Sequence, residues 1–308
     1  MENRHVFAVS LIAVIALAGC TALPGGSQEE DQRDTRYRIT QDDGLTISFQ
    51  SLQSSYFEDG QIVLEFTAQN TGQSVAKNLQ ARLYGASFLA GNDLSLTQTR
   101  LDAVDQEAQQ AGGITTATYQ VNNPVNLRQG ETRSFPAGVR VKYDYNTTAT
   151  AAFRVMPRED FPGGSELVTT ENTAGPLKAD IKVQSPKPVS PPPGQNTVTV
   201  SIPVVVRNVA GGQVVQGING NRGDVSLSLA FPLASSSTAQ ITDCGGSGSS
   251  STTFQFPRGQ TQRQIVCTAE ISKDVFDTQL TLEANLDYTY FETTETTFRI
   301  EGLSGDRT

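Results

Sequence analysis

TLEANLDYTY, residues 281–290, decides the fold class of this chain. Its even-numbered residues are leucine, alanine and tyrosine, whereas every odd-numbered residue is polar. This period of two is typical of a half-buried antiparallel strand, whereas a helix would bring apolar residues together every three or four positions. The stretch is therefore the clearest predicted strand in the chain, with one face turned toward a core.

The same alternation recurs through the chain and predicts an all-β protein. Five further stretches show it: residues 62–69, 79–83, 139–145, 198–204 and 225–231.

Three local features refine this pattern. Pro203 cannot donate to a ladder, so its strand is expected at a sheet edge or with a bulge. Residues 96–110 repeat Leu101, Val104 and Ala108 at helical spacing and predict a short helix. Residues 70–73, NTGQ, predict a tight turn in which glycine supplies a positive φ.

Two segments of the chain resemble each other without a gap. Tyr143-Asp144-Tyr145 aligns with Tyr288-Thr289-Tyr290, and the same offset aligns residues 153–155, FRV, with 298–300, FRI. A closing hairpin reused at one spacing indicates two copies of one module. The economical fold is two tandem Ig-like antiparallel β-sandwiches.

Breaks rich in proline, glycine and polar residues divide the chain. The predicted parts are a signal peptide at 1–19, a lipidated flexible tether at 20–36, one sandwich at 37–158, a linker at 159–176, a second sandwich at 177–303 and a disordered tail at 304–308.

The start of the chain reads as an export signal. Arg4 precedes an apolar run that is too short for a comfortable membrane span, and small residues follow it. Residues 17–20, LAGC, resemble the lipobox of exported lipoproteins, in which the cysteine is acylated. Cys20 is therefore the expected lipid anchor, on the outer face of the cytoplasmic membrane or at an outer membrane if the cell has one. The alternative is an ordinary signal peptide with a chance cysteine.

Two further cysteines, Cys244 and Cys267, are expected to form a disulfide, because exported proteins meet an oxidising compartment. A metal site is the alternative, but two thiolates without histidine fall short of a tetrahedral ligand set.

Composition argues against catalysis and against nucleic acid. The only histidine, His5, lies in the predicted signal peptide, which removes Ser-His-Asp and Cys-His chemistry and imidazole metal sites from the mature chain. The net charge of −9 repels phosphate backbones. We therefore expect no enzyme, no catalytic residues, no cofactor, no metal and no nucleic-acid partner.

Two motifs resemble a known group of modules. Residues 70–79, NTGQSVAKNL, resemble the N-T-G…A…N-V…L stretch of CARDB-like and related Ig-like modules of archaeal and bacterial surface proteins, and 127–132, LRQGET, resemble their L-x-x-G-E-T motif. Residues 207–212 and 256–261 match more poorly, and the Gly/Ser loop near Cys244 departs from the pattern. The resemblance implies an extracellular adhesive or spacer module and transfers no catalytic residue.

Other groups of residues have both a functional and a purely structural interpretation. Asn146-Thr147-Thr148 is a glycosylation sequon, expected on an exposed turn between strands, with Asn146 the candidate acceptor. Arg222-Gly223-Asp224 is similar to a cell-adhesion tripeptide, and Asn219, Asn221 and Asp224 offer oxygen ligands, but a plain turn without EF-hand spacing fits better. The paired tyrosines fit a ligand platform or, better, core filling.

The sequence thus predicts a non-enzymatic cell-surface lipoprotein that presents two Ig-like domains to another envelope or extracellular protein, through a sheet edge. A passive structural spacer and an accessory solute-binding lipoprotein are the alternatives.

Overall fold

The computed structural model describes residues 44–105 and 107–303, and within them the chain forms strands and two short 3-10 helices, Arg158–Asp160 and Lys273–Val275, but no α-helix. The strands are β1 (Leu45–Ser51), β2 (Ser55–Phe57), β3 (Gln61–Asn70), β4 (Lys77–Gly85), β5 (Ile114–Asn122), β6 (Thr132–Pro157), β7 (Glu166–Leu167), β8 (Thr170–Asn172), β9 (Leu177–Ile181), β10 (Gln184–Ser185), β11 (Lys187–Val189), β12 (Thr197–Asn208), β13 (Gln213–Val214), β14 (Val225–Ala230), β15 (Ala239–Cys244), β16 (Ser251–Phe254), β17 (Gln262–Ser272) and β18 (Gln279–Glu301). The predicted all-β class is confirmed.

The strands form three principal sheets. The largest has the order β11-β6-β18-β14-β16, and β2, β4, β8 and β13 attach to its long strands. A second sheet has the order β1-β3-β5, and a third has the order β15-β17-β12-β9. The short strands β7 and β10 pair with each other. The pairings are antiparallel except for β2 with β18 and β11 with β6, which are parallel.

Two long strands form the centre of the molecule. β6 and β18 pair antiparallel from Arg154 opposite Gln279 to Thr132 opposite Glu301. Along most of both strands, alternate residues are buried, which confirms the period of two in the sequence. Because the strands are much longer than usual, their inner face supports more than one packed sheet.

We divide the described structure into two lobes. Lobe 1 contains β1–β5, residues 132–145 of β6 and residues 289–301 of β18, and lobe 2 contains the remaining halves of these strands with β8, β9 and β11–β17. β1 packs against β18 in lobe 1, and β9 packs against β6 in lobe 2. Each lobe is thus a sandwich of two sheet layers, and each long strand belongs to both.

A local pseudo-twofold axis relates the two long strands. The sequence offset that takes Tyr143 to Tyr288 also takes Tyr145 to Tyr290. In the ladder, Tyr143 lies opposite Tyr290 and Tyr145 lies opposite Tyr288, so the offset maps each pair onto the other. The repeat seen in the sequence is therefore a spatial one.

The same axis relates the flanking strands. It passes through the pair Asp144–Thr289, in which the Thr289 hydroxyl donates to Asp144 Oδ1 at 2.6 Å. Around it, β4 on β6 corresponds to β14 on β18, and β2 on β18 corresponds to β11 on β6. Likewise β1, β3 and β5 correspond to β9, β12 and β17, because Leu45 pairs with Asn70 as Leu177 pairs with Asn208.

This arrangement distributes both predicted domains over both lobes. The second half of β6 lies in lobe 2, although its residues belong to the predicted first domain, and the second half of β18 lies in lobe 1. The predicted linker, residues 159–176, includes β7 and β8. The division into two separately folding Ig-like domains stays a prediction. The predicted signal peptide, tether and tail lie outside the described residues.

The helix predicted for residues 96–110 is wrong for the part that the structure describes. Leu101 is buried and extended, and its N–H and carbonyl both bond to Ala76, at 2.9 and 3.0 Å. Asp105 and Gln110 form a further isolated bridge. The segment covers the outer edge of β4, so sheet pairing overrides the weak helical spacing of its apolar residues.

The prediction for Pro203 is also wrong, since β12 is an inner strand between β17 and β9 and carries no bulge at this position. The Pro203 carbonyl accepts from the Lys182 N–H at 2.8 Å, just beyond the end of β9 at Ile181. The missing N–H of proline therefore falls where the neighbouring strand has already ended.

The turn after β3 forms where the sequence predicts it, but for a different reason. Gly72 does not have a positive φ. A Cβ at this position would instead meet the Tyr145 hydroxyl and lie 2.9 Å from the Ala174 carbonyl oxygen. Glycine is needed here because the chain passes close above a buried tyrosine.

Candidate functional site: an open edge of the central strand

The outer side of β18 is paired at two places in lobe 1. Near residue 290, β13 pairs with it and the Val215 N–H donates to the Thr289 carbonyl at 3.0 Å. Near residue 300, β2 pairs with it and the Arg299 N–H donates to the Ser54 carbonyl at 3.1 Å. Within residues 44–105 and 107–303, no strand pairs with this side of β18 between these two points.

The gap leaves a row of backbone groups without a ladder partner. Because alternate residues of a strand direct their N–H and C=O to the same side, the outward groups here are those of Thr293, Glu295 and Thr297. All three residues are exposed. We call residues 292–297 of β18 the open edge.

Lobe 2 has a strand at the corresponding position. There β8 pairs antiparallel with β6, with Asn172 opposite Ala149 and Thr170 opposite Ala151. The Thr173 N–H also donates to the Thr148 carbonyl at 2.9 Å. The pseudo-twofold axis therefore relates the open edge to a strand position that β8 fills in lobe 2 and that no described residue fills in lobe 1. The residues that correspond to β8 by the offset between Leu45 and Leu177, 38–40, lie outside the described residues.

Side chains of β8 also cover the free edge of β9. Asn172 Oδ1 accepts from the Ala179 N–H at 2.8 Å, and Asn172 Nδ2 donates to the Ala179 carbonyl at 3.0 Å. Thr170 Oγ1 accepts from the Ile181 N–H at 3.0 Å. β8 therefore completes two sheets at once, one through its backbone and one through its side chains.

β1 has no such cover among the described residues. Ile47 and Phe49 correspond to Ala179 and Ile181, and no described strand pairs with β1 on the side away from β3. β1 lies against β18, so the two unpaired edges adjoin. Among the described residues, both edges therefore have backbone donors and acceptors without a strand partner.

Burial differs between the two lobes at this position. On the inner face of β6, Ala149 and Ala151 are 0% and 2% exposed beside β8. Their counterparts on β18, Thr294 and Thr296, are only half-buried. The inner face of the open edge therefore lacks the cover that its counterpart has.

The Glu295 carboxylate lies at the middle of the open edge. The Tyr84 hydroxyl donates to Glu295 Oε1 at 2.9 Å, across Gly138, which lies between them in the sheet. A Cβ on Gly138 would lie 2.6 Å from Tyr84 Cε1, so the glycine lets the ring cross β6. Burial and the bond to Glu295 raise the pKa of Tyr84. Arg140 lies 4.9 Å from the ring centre.

The four paired tyrosines are core residues rather than a ligand platform. Tyr143, Tyr145, Tyr288 and Tyr290 are at most 5% exposed, and neighbouring ring centres lie 5.9 to 6.2 Å apart. Burial raises the pKa of Tyr145 to about 12 and those of Tyr143 and Tyr288 well above their usual value.

Each of these hydroxyls has a partner. Tyr143 donates to Glu292 at 2.5 Å, Tyr145 to the Ala174 carbonyl at 3.1 Å and Tyr290 to Asn208 at 2.7 Å. Tyr288 and Thr147 share a bond of 2.8 Å. The phenol oxygens therefore bond within the protein.

The predicted disulfide is present. Cys244 and Cys267 are bonded and lie opposite each other in the β15–β17 ladder, both fully buried. The Gly/Ser loop that follows is held by Asp243, whose carboxylate accepts from the backbone N–H groups of Gly246 and Gly248.

The predicted turn at Asn146 and the predicted closing hairpins are wrong, because Asn146 lies in the middle of β6 and the matching segment 288–300 likewise lies within the single strand β18. The amide Nδ2 of Asn146, the atom that would carry a glycan, donates to Asp287 Oδ1 at 2.9 Å. The sheet continues through this position because β6 has 26 residues, whereas a usual strand has about 5–6. Glycosylation of Asn146 stays a prediction.

The tripeptide Arg222-Gly223-Asp224, in the loop before β14, has its two charged residues in different grooves. Arg222 lines a polar groove of about 460 Å³ together with Asn221, whereas Asp224 accepts from Gln255 Nε2 at 2.9 Å and lines a different groove. Within residues 44–105 and 107–303, no group of three or more His, Cys, Asp or Glu side chains is placed to hold a metal ion.

Cys20, the expected lipid anchor, lies outside the described residues. In the described part of the chain, no helix is both long and apolar enough to cross a membrane. No protein-family model and no curated protein matches this chain. The resemblance to CARDB-like modules therefore stays a prediction based on residues 70–79 and 127–132.

Proposed function

We propose that this protein is a non-enzymatic cell-surface lipoprotein that binds an extended segment of another envelope or extracellular protein at the open edge. In this proposal Cys20 anchors the chain by a lipid, and the two lobes are Ig-like modules held outside the membrane. Binding by strand addition uses backbone hydrogen bonds for affinity and side-chain contacts for selectivity.

The observation that carries the proposal is the unequal filling of equivalent positions. β8 completes the sheet beside β6, whereas residues 292–297 of β18 have no counterpart of β8 among the described residues. Unpaired N–H and C=O groups along a strand are a template for a further strand. Glu295 places a charge there, which is a common protection against unselective pairing.

The test is crosslinking in intact cells, followed by mass spectrometry of proteins bound to the extracted, tagged protein. The informative variant is Thr297→Pro, because proline removes one outward N–H without disturbing the ladder with β6. Gln120→Pro is the matched control, since Gln120 is an exposed residue on β5, an edge strand of another sheet.

We expect one abundant, saturable partner that is lost with Thr297→Pro and retained with Gln120→Pro. Equal loss in both variants would mean general damage to the sheets. Diffuse contacts that neither variant changes would contradict the proposal and favour a passive spacer.

A further inference from the structure

We infer that the polar groove of lobe 2 lined by Arg222 and Arg258 binds an acidic sugar, for which the two arginines supply the positive charge. The groove has a volume of about 460 Å³. Binding sites for small molecules commonly have volumes of about 300–1,000 Å³, so this groove can hold a sugar ring rather than only a bare ion. The inference concerns a different surface from the open edge and does not rest on the proposed function.

Two segments that are distant in sequence form the groove. One is the loop that leads from β13 to β14, which carries Arg222, and the other is the turn between β16 and β17, which carries Arg258. Asn208 at the end of β12 and Gln213 of β13 also line it. The groove therefore exists only in the folded chain.

Backbone contacts hold the loop that carries Arg222. Val215 and Arg222 form an isolated antiparallel bridge, and the Gln216 N–H donates to the Asn221 carbonyl at 2.8 Å. A Cβ on Gly223 would meet the Val215 carbonyl group, so the glycine lets the two parts of the loop approach closely. Arg222 therefore extends from a backbone that is held on both sides.

The turn that carries Arg258 is also held by its backbone. The Gln260 N–H donates to the Pro257 carbonyl at 3.0 Å. The Asn208 N–H donates to the Thr261 carbonyl at 2.7 Å, which joins the turn to the end of β12. Because the backbones of both arginines are already ordered, binding costs less conformational entropy than it would on loose loops.

The equivalent position in lobe 1 is closed by described residues. Asn70 ends β3, as Asn208 ends β12, and the Asn70 N–H donates to the Gly113 carbonyl at 2.9 Å. Asn70 is fully buried, and its Nδ2 donates to the carbonyls of Leu101 and Asp102 at 3.2 and 3.1 Å. Asn208 is only half-buried and lines the groove. The groove is thus a feature of lobe 2 and not of the repeated module.

The charge of the groove selects an anionic group. Arg222 and Arg258 are exposed, and no carboxylate is among the described residues that line the groove. Asp224 is close to Arg222 in sequence, but it accepts from Gln255 Nε2 at 2.9 Å and lines a different groove. In a chain with a net charge of −9, this local positive charge attracts anions. Guanidinium groups match the geometry of a carboxylate with paired N–H donors.

The uncharged side chains select a sugar rather than a bare anion. Gln213, Asn221 and Gln260 line the groove, and each amide offers both donors and an acceptor to hydroxyl groups. Phe256 is half-buried and also lines the groove, so its ring offers an apolar surface to the C–H groups of a sugar ring. An acidic sugar uses the arginines, the amides and the aromatic ring together.

The experiment is an NMR titration of the full chain with methyl glucuronide, methyl glucoside and acetate, at low ionic strength where screening is weak. The two sugars share one ring and differ in a carboxylate or a hydroxymethyl group, whereas acetate supplies the carboxylate alone. We expect the glucuronide to shift the side-chain Nε–H signals of Arg222 and Arg258 saturably. It should bind about ten-fold more tightly than either of the other compounds.

Variants test the two arginines separately. Arg222→Gln and Arg258→Gln should each weaken binding of the glucuronide by about ten-fold, because each removes a charge-assisted hydrogen bond. Arg158→Gln is the matched control, since it makes the same charge change at an exposed residue outside the groove, and it should leave the affinity unchanged. The backbone amide spectrum of each variant shows whether the fold is kept.

Three outcomes would overturn the inference. Equal affinity for the glucuronide and the glucoside would contradict the role of charge, and equal affinity for the glucuronide and acetate would show an unselective anion site. If the glucuronide shifts neither arginine, as when another segment of this chain already fills the groove, no sugar site exists there. If Arg158→Gln weakens binding as much as the groove variants do, the effect belongs to net charge and not to the groove. None of these outcomes bears on strand addition at the open edge.

Discussion

At the scale of single residues, four buried tyrosines hold the junction of the two lobes. Their rings contact one another across the β6–β18 ladder, and Tyr145 and Tyr290 reach the turns that follow β3 and β12. Burial of aromatic rings is stabilising, but each phenol must keep a hydrogen bond when it leaves water. The junction therefore depends on the hydroxyls as much as on the rings.

The raised tyrosine pKa values predict a loss of stability in alkali. Tyr143 and Tyr288 stay protonated in the folded protein, whereas in the unfolded chain they lose the proton above about pH 10. The unfolded state then binds fewer protons, so the contribution of these tyrosines to the free energy of unfolding is constant below about pH 10 and falls above it, by up to about 1.4 kcal/mol per pH unit for each tyrosine. Urea unfolding at a series of pH values measures this slope.

Tyr288→Phe should flatten the slope above about pH 10, whatever it does to stability at neutral pH. Equal slopes for the two proteins would show that Tyr288 does not titrate differently in the folded and unfolded states.

Position 72 requires glycine because a Cβ there would clash with the Tyr145 hydroxyl, since the backbone φ at Gly72 is not positive. Gly72→Ala should lower the free energy of unfolding by about 1–3 kcal/mol, the usual cost of overpacking. Gly211→Ala is the control, because Gly211 lies in the corresponding turn of lobe 2 with no atom within 4 Å of its Cβ position and no positive φ. Urea unfolding of both variants measures the difference, and equal stabilities would contradict the role of Tyr145.

At the scale of single elements, β8 shows how three residues can join two sheets. Its backbone pairs with β6, and Asn172 and Thr170 take the place of a further strand beside β9. A strand of three residues contributes little stability by itself, and β8 is stabilised by the strands on both of its sides. The open edge in lobe 1 is defined by comparison with this element.

Asn172→Ala should remove both bonds to Ala179 and lower the free energy of unfolding by about 1–3 kcal/mol, since a partly buried N–H and C=O lose their partner. It should also speed hydrogen exchange of the Ala179 amide. Glu171→Ala changes the exposed neighbour on the same strand and should alter neither quantity. If Glu171→Ala has the same effect, the cover of β9 does not depend on the Asn172 side chain.

At the scale of the whole molecule, the two lobes depend on each other because each contains one half of β6 and one half of β18. Lobe 1 needs Phe298 and Ile300 of β18, which are fully buried and pack beside residues such as Tyr56. Lobe 2 needs Phe153 of β6, which contacts Phe231. Neither half of the sequence contains a complete core.

We therefore expect fragments 44–158 and 159–303 to be unfolded when expressed separately and to form the native sheets when mixed. Circular dichroism and NMR spectra of each fragment, alone and together, measure this. Two fragments that fold independently would show that the lobes are autonomous tandem domains, as the sequence alone suggested.

The strands were predictable because their cause is local. Alternation of apolar and polar residues is a property of the chain itself, and it located β3, β4, β6, β12, β14 and β18. Sequence similarity also identified residues 143–145 and 288–290 as a repeat. The disulfide between Cys244 and Cys267 was predictable by count alone. The helix predicted for residues 96–110 was wrong, because the extended conformation of Leu101 depends on backbone hydrogen bonds to Ala76, which is distant in sequence.

The sequence by itself therefore determined the all-β class, the faces of the strands and the cysteine pair, since each follows from residue type and spacing along the chain. Only the tertiary structure decided that β6 and β18 run through both lobes and that β8 has no counterpart beside β18 among the described residues. Strand partnership depends on which backbones meet in space, and a period of two is the same whether a neighbouring strand is present or absent.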